Sequence, residues 1–136
     1  MKTLILYYSY TGHTKKIAQE LAAKESYDIE EIKDIYRPGK LKAYVSGCFA
    51  AMRGKAWPIQ SLEVNLAAYD RIILLSPVWA GNPPPAVHAV LQQLPAGKNL
   101  SVKMISASGE SRCKQLIKNI IEVKNGKLES FEDIKI

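Results

Sequence analysis

Cysteine is scarce in this chain. Cys48 and Cys113 are the only two, far apart and in no Cys-x-x-Cys pair. That excludes a disulfide-stapled scaffold and reads as two reduced thiols in a cytoplasmic protein. Histidine is as rare, and no grouping of His, Cys, Asp and Glu has metal-ligand spacing. Long apolar runs are missing too. No stretch approaches the roughly 20 residues that cross a bilayer, and Leu4 to Tyr8 is too short for the core of a secretory leader. The expectation is a soluble, intracellular protein with no membrane partner. Lys and Arg outnumber Asp and Glu by 19 to 13, a net charge of +6, but they form no basic run. Scattered charge argues against sequence-specific nucleic-acid binding and leaves room for anionic ligands or acidic partners. Repeats, linkers and low-complexity tracts are absent as well, so 136 residues read as one domain, 1–136.

What is present is an alternation. Thr3 to Tyr8 is a continuous apolar run, the signature of a parallel strand buried on both faces. Residues 13–24 place Ile17, Ala18, Leu21 and Ala22 on one helical face. Residues 27–33 form a weaker, acidic strand at an edge. After Pro38-Gly39, the positions Leu41, Tyr44, Val45, Cys48, Phe49 and Met52 repeat at helical spacing. Residues 55–69 read as a connection whose Leu62, Val64 and Leu66 pack back on the domain. Ile72 to Leu75 is the second strong strand. Pro83-Pro-Pro85 opens a helix striped by Val87, Val90, Leu91 and Leu94, with His88 expected at its surface or boundary. Leu100 to Ile105 is the next strand. A helix with Cys113, Leu116, Ile117, Ile120 and Ile121 on one side follows, capped by Gly126. Leu128 to Ile136 completes the pattern as an edge strand. Both cysteines fall at core positions. Five strands alternating with four helices predict an α/β, doubly wound parallel sheet.

In such a sheet, ligands sit beyond the carboxyl ends of the strands. Three strands there run into unusual loops. Ser9-Tyr-Thr-Gly-His-Thr14 offers hydroxyls, backbone N–H groups and the positive end of a helix, a place for a phosphate. Its bland alternative is a turn in which Thr14 caps the helix. Pro77-Val-Trp-Ala-Gly-Asn82 offers an aromatic plane beside a flexible glycine, and Ser106 to Ser111 offers Ser108, Gly109 and a helix start. Other phosphate folds fit less well. The first loop lacks the Gly-Lys-Ser/Thr of an NTP-binding loop and the spread glycines of the dinucleotide fingerprint. Tyr8-Ser9 supplies no acid for a receiver domain. Cys48 and Arg53 are one residue too close for a Cys-x5-Arg phosphatase loop.

With these residues in place the chain resembles the flavodoxin family, in particular its short FMN-binding flavodoxin-like members. Tyr8-Ser-Tyr-Thr-Gly-His-Thr14 is similar to the family's phosphate loop, and Ser76-Pro-Val-Trp-Ala-Gly-Asn-Pro83 to its loop along the flavin ring. The helix Leu41–Met52 running into Arg53-Gly-Lys55 also looks like the short members. The resemblance implies a flavodoxin-like sheet of order 2-1-3-4-5 and FMN as cofactor. It implies that Ser9, Thr11, Gly12, His13 and Thr14 hold the phosphate, with Tyr10 in the same loop. Trp79 would lie against the isoalloxazine, with Pro77, Val78, Ala80, Gly81 and Asn82 along the ring edge. Ser108, Gly109 and Glu110 would approach the pyrimidine side. A peptide rearrangement near Gly81 would offer a carbonyl to N5 of the reduced ring. The implied activity is electron transfer to a redox partner protein or a small-molecule acceptor. An NAD(P)H-dependent FMN or quinone reductase is the alternative enzyme, and a flavin-free interaction module the alternative of another class.

Three departures from the family stand out. His13 replaces a common Asn, where it either donates to the phosphate and makes binding pH-sensitive or stands in solvent and contributes only its backbone N–H. The chain is basic where electron carriers are usually acidic, which raises the potential of the lower couple. The usual helix after the fifth strand has no counterpart, so one sheet face is expected to carry uncovered apolar side chains and to pair as a homodimer or with another partner, the alternative being that residues 127–136 fold back as the cover. For the second face of the flavin ring, Tyr27, Tyr36, Tyr44 and Tyr69 are the available aromatics.

Overall fold

The computed structural model describes residues 2–35, 46–48, 50, 51, 53 and 56–136. Strands β1 (Thr3–Tyr7), β2 (Asp28–Glu31), β3 (Arg71–Pro77), β4 (Asn99–Ser106) and β5 (Lys127–Lys135) alternate with helices α1 (His13–Glu25), α2 (Pro85–Gln93) and α3 (Lys114–Val123). All neighbouring strands pair in parallel, in the order β2-β1-β3-β4-β5. This is the predicted sheet, with β2 and β5 at its edges as the acidic residues of both segments require. The helix predicted over Leu41–Met52 falls largely outside the described residues. Of it, residues 46–48, 50 and 51 are helical. Arg53 lies in a turn, while Gly54 and Lys55 are outside the described set.

The apolar runs of β1 and β3 are buried on both faces, as their lack of alternation predicts. Leu4, Leu6, Ile72, Leu74, Leu100, Val102 and Met104 face α2 and α3 in the larger core. Ile5, Tyr7, Ile73, Leu75 and Ile105 face α1, against Ala18 and Ala22. Each buried aliphatic side chain contributes roughly 2 kcal/mol of hydrophobic stabilisation. Leu62, Val64 and Leu66 pack on the larger core as expected, and Leu66–Ala68 forms one 3₁₀ turn.

Three expectations are corrected. Helix α2 is not striped: everything from Pro85 to Leu91 is buried, His88 included at 3% exposure. The segment before β3 covers its outer side, and the Trp57 N–H donates to the Pro85 carbonyl at 3.2 Å. The left-handed residue that closes α3 is Asn125, directly after the cap Lys124, and not Gly126. Asn125 takes the left-handed conformation (φ 58), and the Asn125 and Gly126 N–H groups donate to the Glu122 and Ile121 carbonyls at 3.0 and 2.9 Å. This is a Schellman closure with asparagine in the glycine's place. Gly126 is required for another reason: a Cβ there would sit 2.6 Å from the Lys98 carbonyl oxygen. Third, the α1 side of β4 and β5 is not apolar where it lies open. Its cross-strand pairs are Ser101 with Ser130 and Lys103 with Glu132, and the last pair forms an ion pair of 2.8 Å. The next pair on that face, Ile105 with Ile134, is apolar and packs with the α1-side core.

Candidate functional site

The first loop leaves β1 at Tyr8 and enters α1 through Gly12, which caps the helix with φ 105. That torsion is the reason for a glycine at this position. No side chain caps α1 from Gly12. Instead the Gly12 and Lys15 N–H groups donate to Ser9 Oγ at 3.1 and 3.2 Å. Two backbone donors thus converge on one oxygen at a helix N-terminus, with Lys15 and Lys16 exposed beside it. Thr11 Oγ1 and His13 Nδ1 lie 3.2 Å apart, both residues exposed. Thr14 is buried in the first turn. The capping alternative for Thr14 is thereby set aside, since Gly12 holds that position.

The second loop is a tight two-residue turn. Trp79 and Asn82 exchange backbone hydrogen bonds of 2.8 and 3.0 Å. Both central residues have positive φ, Ala80 at 52 and Gly81 at 80, the requirement of a type I′ turn. Asn82 Nδ2 donates back to the Ala80 carbonyl at 3.2 Å. Pro77 and Val78 are half-buried where β3 ends. The third loop is organised by its serines: Ser106 Oγ accepts from the Gly109 N–H at 3.0 Å, and Ser108 Oγ from the Glu110 N–H at 3.3 Å.

The second and third loops meet through a residue that the sequence motifs did not single out. The Arg112 N–H donates to the Gly81 carbonyl at 2.7 Å, and Arg112 Nη2 lies 3.4 Å from the Ala80 carbonyl. The guanidinium covers Gly81 so closely that a Cβ there would be 2.6 Å from Nε. Gly81, Ser108, Glu110, Ser111 and Arg112 line an open cleft of about 340 Å³. The only hint in the sequence was a cation directly after a glycine-containing loop and just before a helix.

Trp79 is the buried aromatic of the second loop. Its ring is 3% exposed, edge-on to Tyr10 at 5.3 Å and to Tyr8 at 6.0 Å between centroids. A Cβ on Gly47 would run into the Trp79 ring and come within 3.3 Å of Trp57. The ring belongs to the larger core, beside the turn it opens. Tyr69 and Tyr27 lie at the other end of the sheet, where Tyr69 donates to Asp28 at 2.7 Å and Arg71 to Tyr27 at 2.8 Å. Neither can cover a ring at the carboxyl edge, and Tyr36 and Tyr44 are outside the described residues. Burial pushes the Cys113 thiol pKa up, which marks an inert core side chain. Cys48 is half-buried against the same core. Among the described residues no cluster of His, Cys, Asp or Glu could hold a metal ion, and no helix is long and apolar enough to cross a membrane.

No protein-family model matches the chain, and neither does any curated protein. Solved structures do. A flavoprotein from Lactobacillus acidophilus NCFM in complex with FMN superposes with a TM-score of 0.74 at 22% identity, over 96% of this chain and 91% of that one. The apo-form of the flavoprotein from that organism gives 0.69 at 25% identity, over 97% and 92%. Oxidised Flavodoxin 2 from Bacillus cereus gives 0.56 at 20% identity, over 100% and 85%. The fold is flavodoxin-like. In this flavodoxin-like sheet the loops after β1, β3 and β4 share one edge, and neighbouring strands are about 4.8 Å apart. The amides around Ser9 follow β1, and the cleft beside Arg112 is lined from the loops after β3 and β4, the next two strands of the sheet.

Proposed function

We propose that this chain binds FMN along the edge formed by the first three loops and serves in electron transfer. The observation that carries this reading is the convergence of the Gly12 and Lys15 N–H groups on Ser9 Oγ. That hydroxyl oxygen occupies the acceptor position a phosphate oxygen would take, so the residues present fit the group. Thr11 and His13 add side-chain donors at the loop's exposed rim, and the α1 N-terminus favours the phosphate charge. The type I′ turn and Ser108 to Arg112 would hold the ring edge. When bound, the flavin supplies the redox chemistry. Trp79 supports the turn from behind and fixes its direction through Tyr8 and Tyr10. The acceptor is a redox partner protein or a small molecule, and the net charge of +6 favours an acidic one.

An FMN titration followed by flavin fluorescence tests this. Saturable quenching by the wild type is expected. Gly12→Val should weaken FMN by about tenfold or more, because a β-branched residue resists φ 105 and the amide cradle opens. Riboflavin, which lacks the phosphate, should bind both proteins alike. Absence of quenching at micromolar protein overturns the FMN reading and leaves the fold untouched. Steady NAD(P)H oxidation by the FMN-loaded protein would make it a reductase instead of a carrier.

A further inference from the structure

Arg112 is tied to the ring-side turn by its backbone and approached by its side chain. Its N–H holds the Gly81 carbonyl at 2.7 Å, and its guanidinium lies over Gly81 within 3.4 Å of the Ala80 carbonyl. Two successive carbonyls of the turn thus face one residue of the third loop. The guanidinium is exposed, in a cleft whose other charged group is Glu110. Lys135 packs against Gly109 behind it, where a Cβ on the glycine would be 2.9 Å from the Lys135 Cβ. The phosphate cradle lies at the end of β1 and this cleft at the ends of β3 and β4. A ligand anchored at the first and extended along the edge ends against the second.

We infer that Arg112 is a positioning residue that sets the reduction potential of a flavin bound at this edge, favouring its reduced, negatively charged form. The inference rests on the FMN reading above. Oxidised FMN takes up two electrons from a reduced reference dye and one proton from solvent, and the ring then carries one added negative charge. A fixed cation beside the ring edge stabilises that charge and not the neutral oxidised ring. The same residue, by holding the Ala80 and Gly81 carbonyls, keeps their oxygens in fixed directions. Glycine at 81 is what lets the guanidinium come this close.

The test compares wild type, Arg112→Gln and Arg112→Lys, each loaded with FMN and equilibrated with a dye of known potential. FMN affinity is measured alongside. Arg112→Gln should lower the ratio of affinities for reduced over oxidised FMN by about tenfold, a fall of about 30 mV for a two-electron couple. Arg112→Lys should keep most of the wild-type potential, because it keeps the charge. Raised salt should shrink the difference between wild type and Arg112→Gln. If Arg112→Gln fails to fold, Arg112→Met, uncharged and of comparable length, carries the same expectation. A wild-type potential in the neutral variant overturns the inference, and so does an equal fall in the lysine variant. If the wild type binds no FMN at all, the FMN reading fails first and takes this one with it. The titration therefore separates the two failures.

Discussion

Ala80 is the strained residue of the site. Its φ of 52 lies in the left-handed region, which costs an L-residue with a Cβ roughly 1 kcal/mol. The turn tolerates it because Trp79 and Asn82 close the ring of hydrogen bonds around it. Ala80→Gly should therefore raise the unfolding free energy by about 0.5 kcal/mol, the relief of strain exceeding the added entropy of the unfolded chain. Urea denaturation of both proteins decides this, and a loss of stability would mean that the Ala80 methyl packs usefully. The residue scale is also where the sequence was least legible. The loop Pro77–Asn82 was correctly placed at the sheet edge, but an aromatic in a loop serves equally as a ligand platform or as core. In the folded chain the ring is buried, with Gly47 packed close against it. Arg112 escaped notice for the opposite reason, since one more exposed cation in a basic chain carries no signal until its partners at Ala80 and Gly81 are seen.

Helix α2 shows what tertiary cover does to an element. Its apolar positions were read as one stripe, but the helix is buried all round from Pro85 to Leu91. The side chain that pays for this is His88. Burial lowers its pKa from the ordinary 6.5, and its Nε2 has no hydrogen-bond partner. Between that lowered value and 6.5 the unfolded chain binds a proton that the folded chain does not, so stability rises with pH across that window and stays at its lower level beneath it. Thermal midpoints measured from pH 7.5 down to pH 5 should decline, and His88→Leu should flatten the decline by His88's share. An unchanged slope in the variant would mean that His88 is not the titrating group. Strands were more legible than helices. The unbroken apolar runs in β1 and β3 announced strands buried on both faces, and the acids of β2 and β5 announced edges. The residue closing α3 was misplaced by one because asparagine shares glycine's tolerance for positive φ.

For the molecule as a whole, the open side of β4 and β5 changes the expectation for self-association. Ser101, Lys103, Ser130 and Glu132 form a solvated face, and burying the Lys103–Glu132 pair would cost its hydration. Sedimentation at tens of micromolar should give a monomer, unaltered by Lys103→Glu. A dimer that Lys103→Glu dissociates would restore an interface on that face. The alternation Leu100-Ser-Val-Lys-Met104 already carried this information, since a period of two marks a strand with one wetter side. The order of the sheet and the edge where its loops gather were legible from the alternation of elements alone. The packing between Gly47, Trp57 and Trp79 has an optical consequence. These are the only two tryptophans in the chain, and both indoles meet at the same glycine. Tryptophan emission from the native protein therefore comes from one spot, beside the turn that Trp79 opens. A yellow chromophore arriving at the sheet edge would darken nearly all of that emission at once, giving the molecule a built-in reporter that needs no label.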